Sequence, residues 1–349
     1  MGLELLKELT MATKTNRKTR GASSSSSSPP AKRQKITVAP FVVAFPRRTR
    51  LSSTQWVNNV PFHVWVSKIL NPFLDLKALS TVGRCNTFFE ELWQYVLKQN
   101  IIRVPEDFPT MNQGMDMAVV FSERNECTPE NPVRVVVGEG QFAVVGRLFG
   151  MTVSCSHITF VGKGKGKTTM LGGFQVDKQQ HVKFEKLAVT NHRGYGLYCT
   201  GGGTNVDVTE CCFKHCKASG LGVMGGATAT ATRCDFMENG QCGVGCFGAN
   251  TKVRLNDSTM HHNGMYGLAA DSHAVVDIHG TKMDIRSNKE VGVLAYKNAK
   301  VNIHLPSHHN TIHDNLDDNR AQQSGGSIAN INADGTFTHV EKVEIDDDY

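Results

Sequence analysis

The sequence predicts a mainly β chain whose larger part is a parallel β-helix, and three observations carry that prediction. A short apolar-x-apolar phrase recurs six times, at Val182-x-Phe184, Val206-x-Val208, Ala229-x-Ala231, Val253-x-Leu255, Val276-x-Ile278 and Val301-x-Ile303, in steps of 23 to 25 residues. A glycine followed by an apolar residue recurs in phase, at Gly196, Gly220, Gly243, Gly267 and Gly292. The repeats are rich in Gly, Thr, Val, Ala and Cys, and none holds an apolar face long enough for a helix. A fixed period built from alternating apolar positions marks a stacked solenoid.

A leucine-rich repeat shares this period, and Asn263 suits its closing asparagine, but the repeats are poor in Leu. Short alternating runs separated by Gly and Asn describe strands and tight bends instead. Columns of like residues follow. One small-residue column runs Cys199, Val223, Cys246, Ala270, Ala295; another runs Cys211, Cys234, Ser258, Thr281. An apolar column runs Val189, Phe213, Phe236, Met260, Met283. Asn239, Asn263 and Asn288 form a polar column, expected to bond its amides along the stack at a bend that needs φ > 0.

The first strands of the solenoid are expected at Val133 to Val137, ahead of Gly138-Glu139-Gly140, then at His157 to Gly162 and at Thr168-Thr169-Met170. Met111 to Phe121, within a capping segment 108–130, is expected to be a helix covering the open end of the stack. Asp317 to Ser324 reads as a polar insertion in a looser last coil, and 341–349 as an acidic tail. Residues 131–340 resemble the pectin-lyase-like, right-handed β-helix superfamily, which implies the right-handed coil.

Residues 1–50 hold 11 Lys+Arg against 2 Asp+Glu, so the leader is +9 where the whole chain is +6, leaving −3 for the rest. With Ser23 to Ser28 uninterrupted and Pro29-Pro30 following, the leader is expected to be disordered. Within it Lys32, Arg33 and Lys35 resemble a short nuclear import signal, which implies an importin; the bland alternative is a solubilising basic arm with weak, unspecific affinity for nucleic acid. Met1-Gly2 is not a myristoylation start, because Leu6 stands where Ser or Thr is needed, and Met11 is an alternative start. No apolar run spans a bilayer and no secretory signal opens the chain, so the expected location is nuclear or cytoplasmic, without membrane association.

A separate helical unit is expected over 56–104. Pro61 suits a first helical turn, Asn71-Pro72 stops that helix after Ile69-Leu70, and Asp75 caps a second carrying Leu76, Leu79 and Val82. A third would begin near Asn86 and bury Phe89 and Trp93. The stretch resembles the F-box, with Val60 where that motif usually has Leu. The resemblance implies docking on the Skp-type adaptor of a cullin–RING ubiquitin ligase through Pro61, Ile69, Leu70, Leu76, Leu79 and Val82, with Trp93 packing the motif. The structural alternative is a three-helix cap on the solenoid.

The outward column Lys183, Asp207, Thr230, Arg254, Asp277, Asn302 puts Asp207 and Asp277 three coils, about 14 Å, apart. That spacing is too wide for a glycosidase pair, and Arg254 with Asp277 reads as a cross-strand ion pair. Near the asparagine bend, Glu238 neighbours His262, and His261 neighbours Asp284. Such a cluster suits acid–base chemistry or a metal, but a polar ridge at an exposed bend is the preferred account of it. Lys163 to Thr168 fails as a phosphate loop because Val161 stands where the first glycine belongs. The ten cysteines lack Cys-x-x-Cys pairs and several fall on inward columns, so reduced, buried thiols without metal are expected. No cofactor is implied.

Joined, an F-box and a recognition solenoid imply a substrate-recognition subunit of a ubiquitin ligase, binding an unknown protein and acting by proximity rather than through its own catalytic residues. The alternatives are an intracellular carbohydrate-binding or carbohydrate-active β-helix, and an interaction scaffold with no ligase.

Overall fold

A computed structural model describes residues 56–57, 60–61, 100–146, 149–307 and 311–339. The chain divides into two units, Met1–Trp93 and Gln94–Tyr349. In the first, Trp56–Val57 pairs antiparallel with Val60–Pro61. Pro61 therefore lies in a two-residue strand rather than a first helical turn, consistent with its fixed φ and missing N–H at a sheet edge. Lys32, Arg33, Lys35, Ile69, Leu70, Leu76, Leu79, Val82 and Trp93 lie outside the described residues, as does the 341–349 tail.

The second unit is a right-handed parallel β-helix of three sheets, with eleven, eight and eight strands. Each coil contributes one strand to each sheet. In the coil that starts at Asn205–Thr209, the chain passes to Cys212–Lys214 in the second sheet and Leu221–Met224 in the third. The next coil repeats this at Thr228–Thr232, Asp235–Met237 and Val244–Phe247. Register follows the sequence columns: Val206 pairs Ala229, then Val253, then Val276, then Val301.

The solenoid begins earlier than the sequence indicated. Ile101–Val104, read as the end of the helical unit, is a strand paired parallel with Val133–Val137. Helix α1 (Met111–Arg124) follows, with Thr110 as N-cap accepting from the Gln113 amide at 3.3 Å. It buries Met111, Met115, Ala118 and Phe121 and packs on those two strands, so the first coil has its apolar cover. At the far end Phe337–His339 pairs antiparallel with Ser327–Ile331 and closes the first sheet's edge. Arg320–Gln323, expected as an insertion, is the last strand of the third sheet.

Inward residues stack on themselves. Phe160 lies on Phe184 and Phe213 on Phe236, with ring centroids 5.0 and 5.4 Å apart and planes within 11°. All four are fully buried, each contributing up to about 3 kcal/mol of transfer free energy. The apolar column continues from Met260 to Ile285, not to Met283. His279 is in register with Asn256, and Met283 Sδ receives the Ser258 amide at 3.1 Å. Two extra residues in the Gly280–Lys282 bend thus put Met283, rather than Thr281, after Cys211, Cys234 and Ser258.

Two rows of tight corners turn the coil. Lys186, Glu210, Arg233 and Asp257 turn from first to second sheet, and His215, Glu238, His262, Ser287 and Asp314 from second to third, all with φ between 47° and 56°. The left-handed residue is the one before each asparagine, not the asparagine itself. Asn239, Asn263 and Asn288 are buried, and each amide bonds the next asparagine and a backbone carbonyl. Asn315 extends this ladder by one rung.

Candidate functional site

The second sheet's outer face holds the cluster read from the sequence, rearranged. His261 is in register with Arg286, and Asp284 with Thr259. Glu238 Oε2 reaches His215 Nδ1 at 3.1 Å, on the preceding coil, rather than His262. His262 Nδ1 lies 2.8 Å from His261 Nδ1. Asp284 is held by Arg286 Nε at 2.9 Å and faces His313 Nε2 at 3.2 Å, while His313 Nδ1 meets Asp314 at 2.8 Å. Burial, with Arg286 and His262 beside it, lowers the His261 pKa against the opposing pull of Asp284 and Asp235.

Asp235 and Asp284 stand two coils apart in one column, about 10 Å by the strand spacing. That approaches the separation in an inverting glycosidase. Both carboxylates are already engaged, however: Asp235 by Lys165 and the Thr259 hydroxyl, Asp284 by Arg286. The arrangement is an ion-pair network along an exposed ridge. Among the described residues no group of three or more His, Cys, Asp or Glu is placed to hold a metal ion.

The nine described cysteines are free, and eight of them are buried. Burial raises their thiols, to about 12 for Cys216, Cys234 and Cys246. Cys211 and Cys234 donate weakly to the carbonyls of Phe184 and Val208. They act as small core residues.

The third sheet's outer face has a different character, which the repeat analysis did not reveal. Its mid-strand column runs Gln175, Tyr198, Gly222, Gly245, Ala269, Leu294, Ala321. The Tyr195 ring fills the space above Gly222, where an added Cβ would lie 2.8 Å from it. Phe247 does the same over Gly245, at 2.4 Å. Phe149 stacks on Tyr198 with centroids 4.5 Å apart, and Tyr195 lies 5.3 Å from Tyr198. The Tyr198 hydroxyl donates to Met224 Sδ at 2.9 Å. Burial raises the Tyr195 phenol, which stays a protonated donor.

Beside these rings opens a groove of about 470 Å³, between 143–146 with Gly150 on one side and 190–193 on the other. Val144, Leu171 and Thr190 line it, with exposed His192 and Arg193 at its rim. Leu171 and Val145 are 41% and 69% exposed there. The signal that could have exposed this site is off-period: Phe149 and Tyr195 come from the turns that precede strands.

A family-model match agrees with this architecture. Residues 151–316 match the family model described as right handed beta helix region. Similar solved structures include the Agl-KA catalytic domain, 14% identical over 63% of this chain and 44% of that one, TM-score 0.39. Another is the A-module of the Azotobacter vinelandii mannuronan C-5 epimerase AlgE4, 13% identical over 67% and 84%, TM-score 0.40. A third is ORF18 of Geobacillus virus E2, 10% identical over 70% and 64%, TM-score 0.40. This chain spans less than half of the Agl-KA domain. No curated protein matches the chain.

Proposed function

We propose that the β-helix is a carbohydrate-binding module whose third sheet takes the ligand. The observation that carries this reading is the aromatic surface of Phe149, Tyr195, Tyr198 and Phe247 on a floor of Gly222 and Gly245. A pyranose offers an apolar C–H face and a rim of hydroxyls. Partly exposed rings pack the former, while Gln175, Thr200 and Asp177 on the same sheet can bond the latter. The rings recur on every second coil, Phe149, then Tyr195 and Tyr198, then Phe247, which suits a chain of sugars better than a single one. The 470 Å³ groove adjoins the same surface.

The test is binding of the full chain to an array of neutral oligosaccharides, followed by calorimetry on the best ligand. Tyr195→Ala with Tyr198→Ala should weaken binding by at least about tenfold, since each ring contact is worth roughly 1 kcal/mol. A wild-type protein that binds no glycan, or a double variant that binds equally well, removes this reading.

A second reading keeps the ligase. The F-box resemblance of residues 60–93 supports it, and so does helix α1, which already covers the first coil and leaves the end-cap role filled. On that reading the same aromatic face receives a protein. Co-purification with a Skp-type adaptor, lost on Leu70→Asp with Leu76→Asp, tests it. Import through Lys32, Arg33 and Lys35 belongs to this reading too, and nuclear accumulation of the full chain checks it.

A further inference from the structure

Three columns cross the first sheet's outer face near its end: Lys252, Val275, Lys300; Arg254, Asp277, Asn302; and Asn256, His279, His304. Arg254 and Asp277 are register neighbours, yet they form no ion pair. Asp277 Oδ1 accepts from Asn302 Nδ2 at 2.9 Å and faces His304 Nε2 at 3.2 Å. Arg254 donates from Nε to Asn256 Oδ1 at 3.2 Å. One side of the guanidinium is thereby fixed, and its two Nη groups have no partner among the described residues.

This distinguishes Arg254 from Arg233 and Arg286, two surface arginines that are already neutralised. Arg233 is met by Glu210 at 3.0 Å, and Arg286 by Asp284 at 2.9 Å. Lys252 and Lys300 flank Arg254 and are likewise exposed and unpaired among the described residues. The three cations span three successive coils, about 10 Å, against the single carboxylate of Asp277. His279 stacks on His304 with centroids 4.0 Å apart and planes 12° from parallel.

A held guanidinium presents parallel N–H groups that match two oxygens of an oxyanion. A second cation two residues away on the same strand, Lys252, and a third two coils on, Lys300, suit a tetrahedral dianion better than a planar carboxylate. We propose that this face is a binding site for a phosphate monoester, with Arg254 as its bidentate anchor, Lys252 and Lys300 as flanking charges and His279 as an additional donor. The site lies on a different sheet from the aromatic surface and does not depend on that surface's ligand.

Calorimetric titration of the full chain with inorganic phosphate, at constant ionic strength, tests the site. Saturable binding should appear and weaken at least about tenfold in Arg254→Gln, while Arg233→Gln, which removes an arginine already neutralised by Glu210, should leave it unchanged. Phosphate should also raise the NMR titration midpoint of His279, because a nearby dianion favours the imidazolium. Absence of saturable binding, equal weakening in both variants, or an unmoved His279 midpoint overturns the proposal.

Discussion

Asn239 Nδ2 donates to Asn263 Oδ1 across 3.0 Å, and the same oxygen also receives the Asn239 backbone amide at 3.2 Å. One side chain thus satisfies two buried donors on the preceding coil, and Asn263 in turn leans on Asn288. The corner is specified by this shared acceptor.

Asn263→Ala should therefore cost more than one hydrogen bond. It strands the Asn239 amides and the Phe236 carbonyl inside the stack, at about 1–3 kcal/mol for each unsatisfied group, so a loss of roughly 3 kcal/mol is expected. Urea unfolding measures it; a loss under about 1 kcal/mol would show that water replaces the ladder.

Glycine demand differs sharply between positions. At Gly243 an added Cβ would lie 2.8 Å from the Gly267 carbonyl oxygen and 3.0 Å from Asn263 Nδ2, whereas at Gly166 nothing lies within 4 Å. Gly243→Ala should destabilise by about 2 kcal/mol or more, and Gly166→Ala by no more than about 0.5 kcal/mol. Equal thermal midpoints for the two variants would contradict the close coil-to-coil approach.

Stability should fall in mild acid through His261 and His279. Burial and neighbouring cations hold both below the ordinary value of 6.5. Above that value both states are neutral and the contribution is fully present. As pH drops below it, the unfolded chain takes up protons that the folded chain refuses, and the contribution is lost as pH falls through the folded values. The double variant His261→Gln, His279→Gln should show a shallower fall in urea midpoint between about pH 7 and pH 5 than wild type; identical slopes would rule this out.

Thiol labelling should separate one of the nine described cysteines from the other eight. Cys127 is the described cysteine that is only partly buried, while Cys199, Cys211 and Cys234 are wholly enclosed. Under native conditions Cys127 should react first, and those three only after denaturant is added. Mass-spectrometric mapping of the labelled peptides decides the matter.

Most of the solenoid was legible because inward side chains repeat in register, as Val206, Ala229 and Val253 do. Legibility failed where the period changed. The two-residue expansion at Gly280–Lys282 moved Met283 off the column the spacing assigned to it, and Ile285 took its place. Ile101–Val104 follows Asn100, a left-handed corner at φ 49°, but it pairs with residues 33 further on, outside the repeat period, so its strand was read as the tail of a helical unit. Surface sites were harder still. Register placed Arg254 beside Asp277 correctly, but side-chain competition from Asn302 and His304 decided whom the aspartate would choose. The aromatic face escaped because Phe149 and Tyr195 reach it from outside the repeat.

Because the backbone of each layer pairs only with the layer before and after it, the rod's length is set independently of its ends. Duplicating one whole unit, such as residues 228 to 251, should lengthen the rod by one rung while leaving helix α1 and the terminal hairpin to seal it. Evolution could extend or shorten the gripping surface in whole steps, without redesigning the fold.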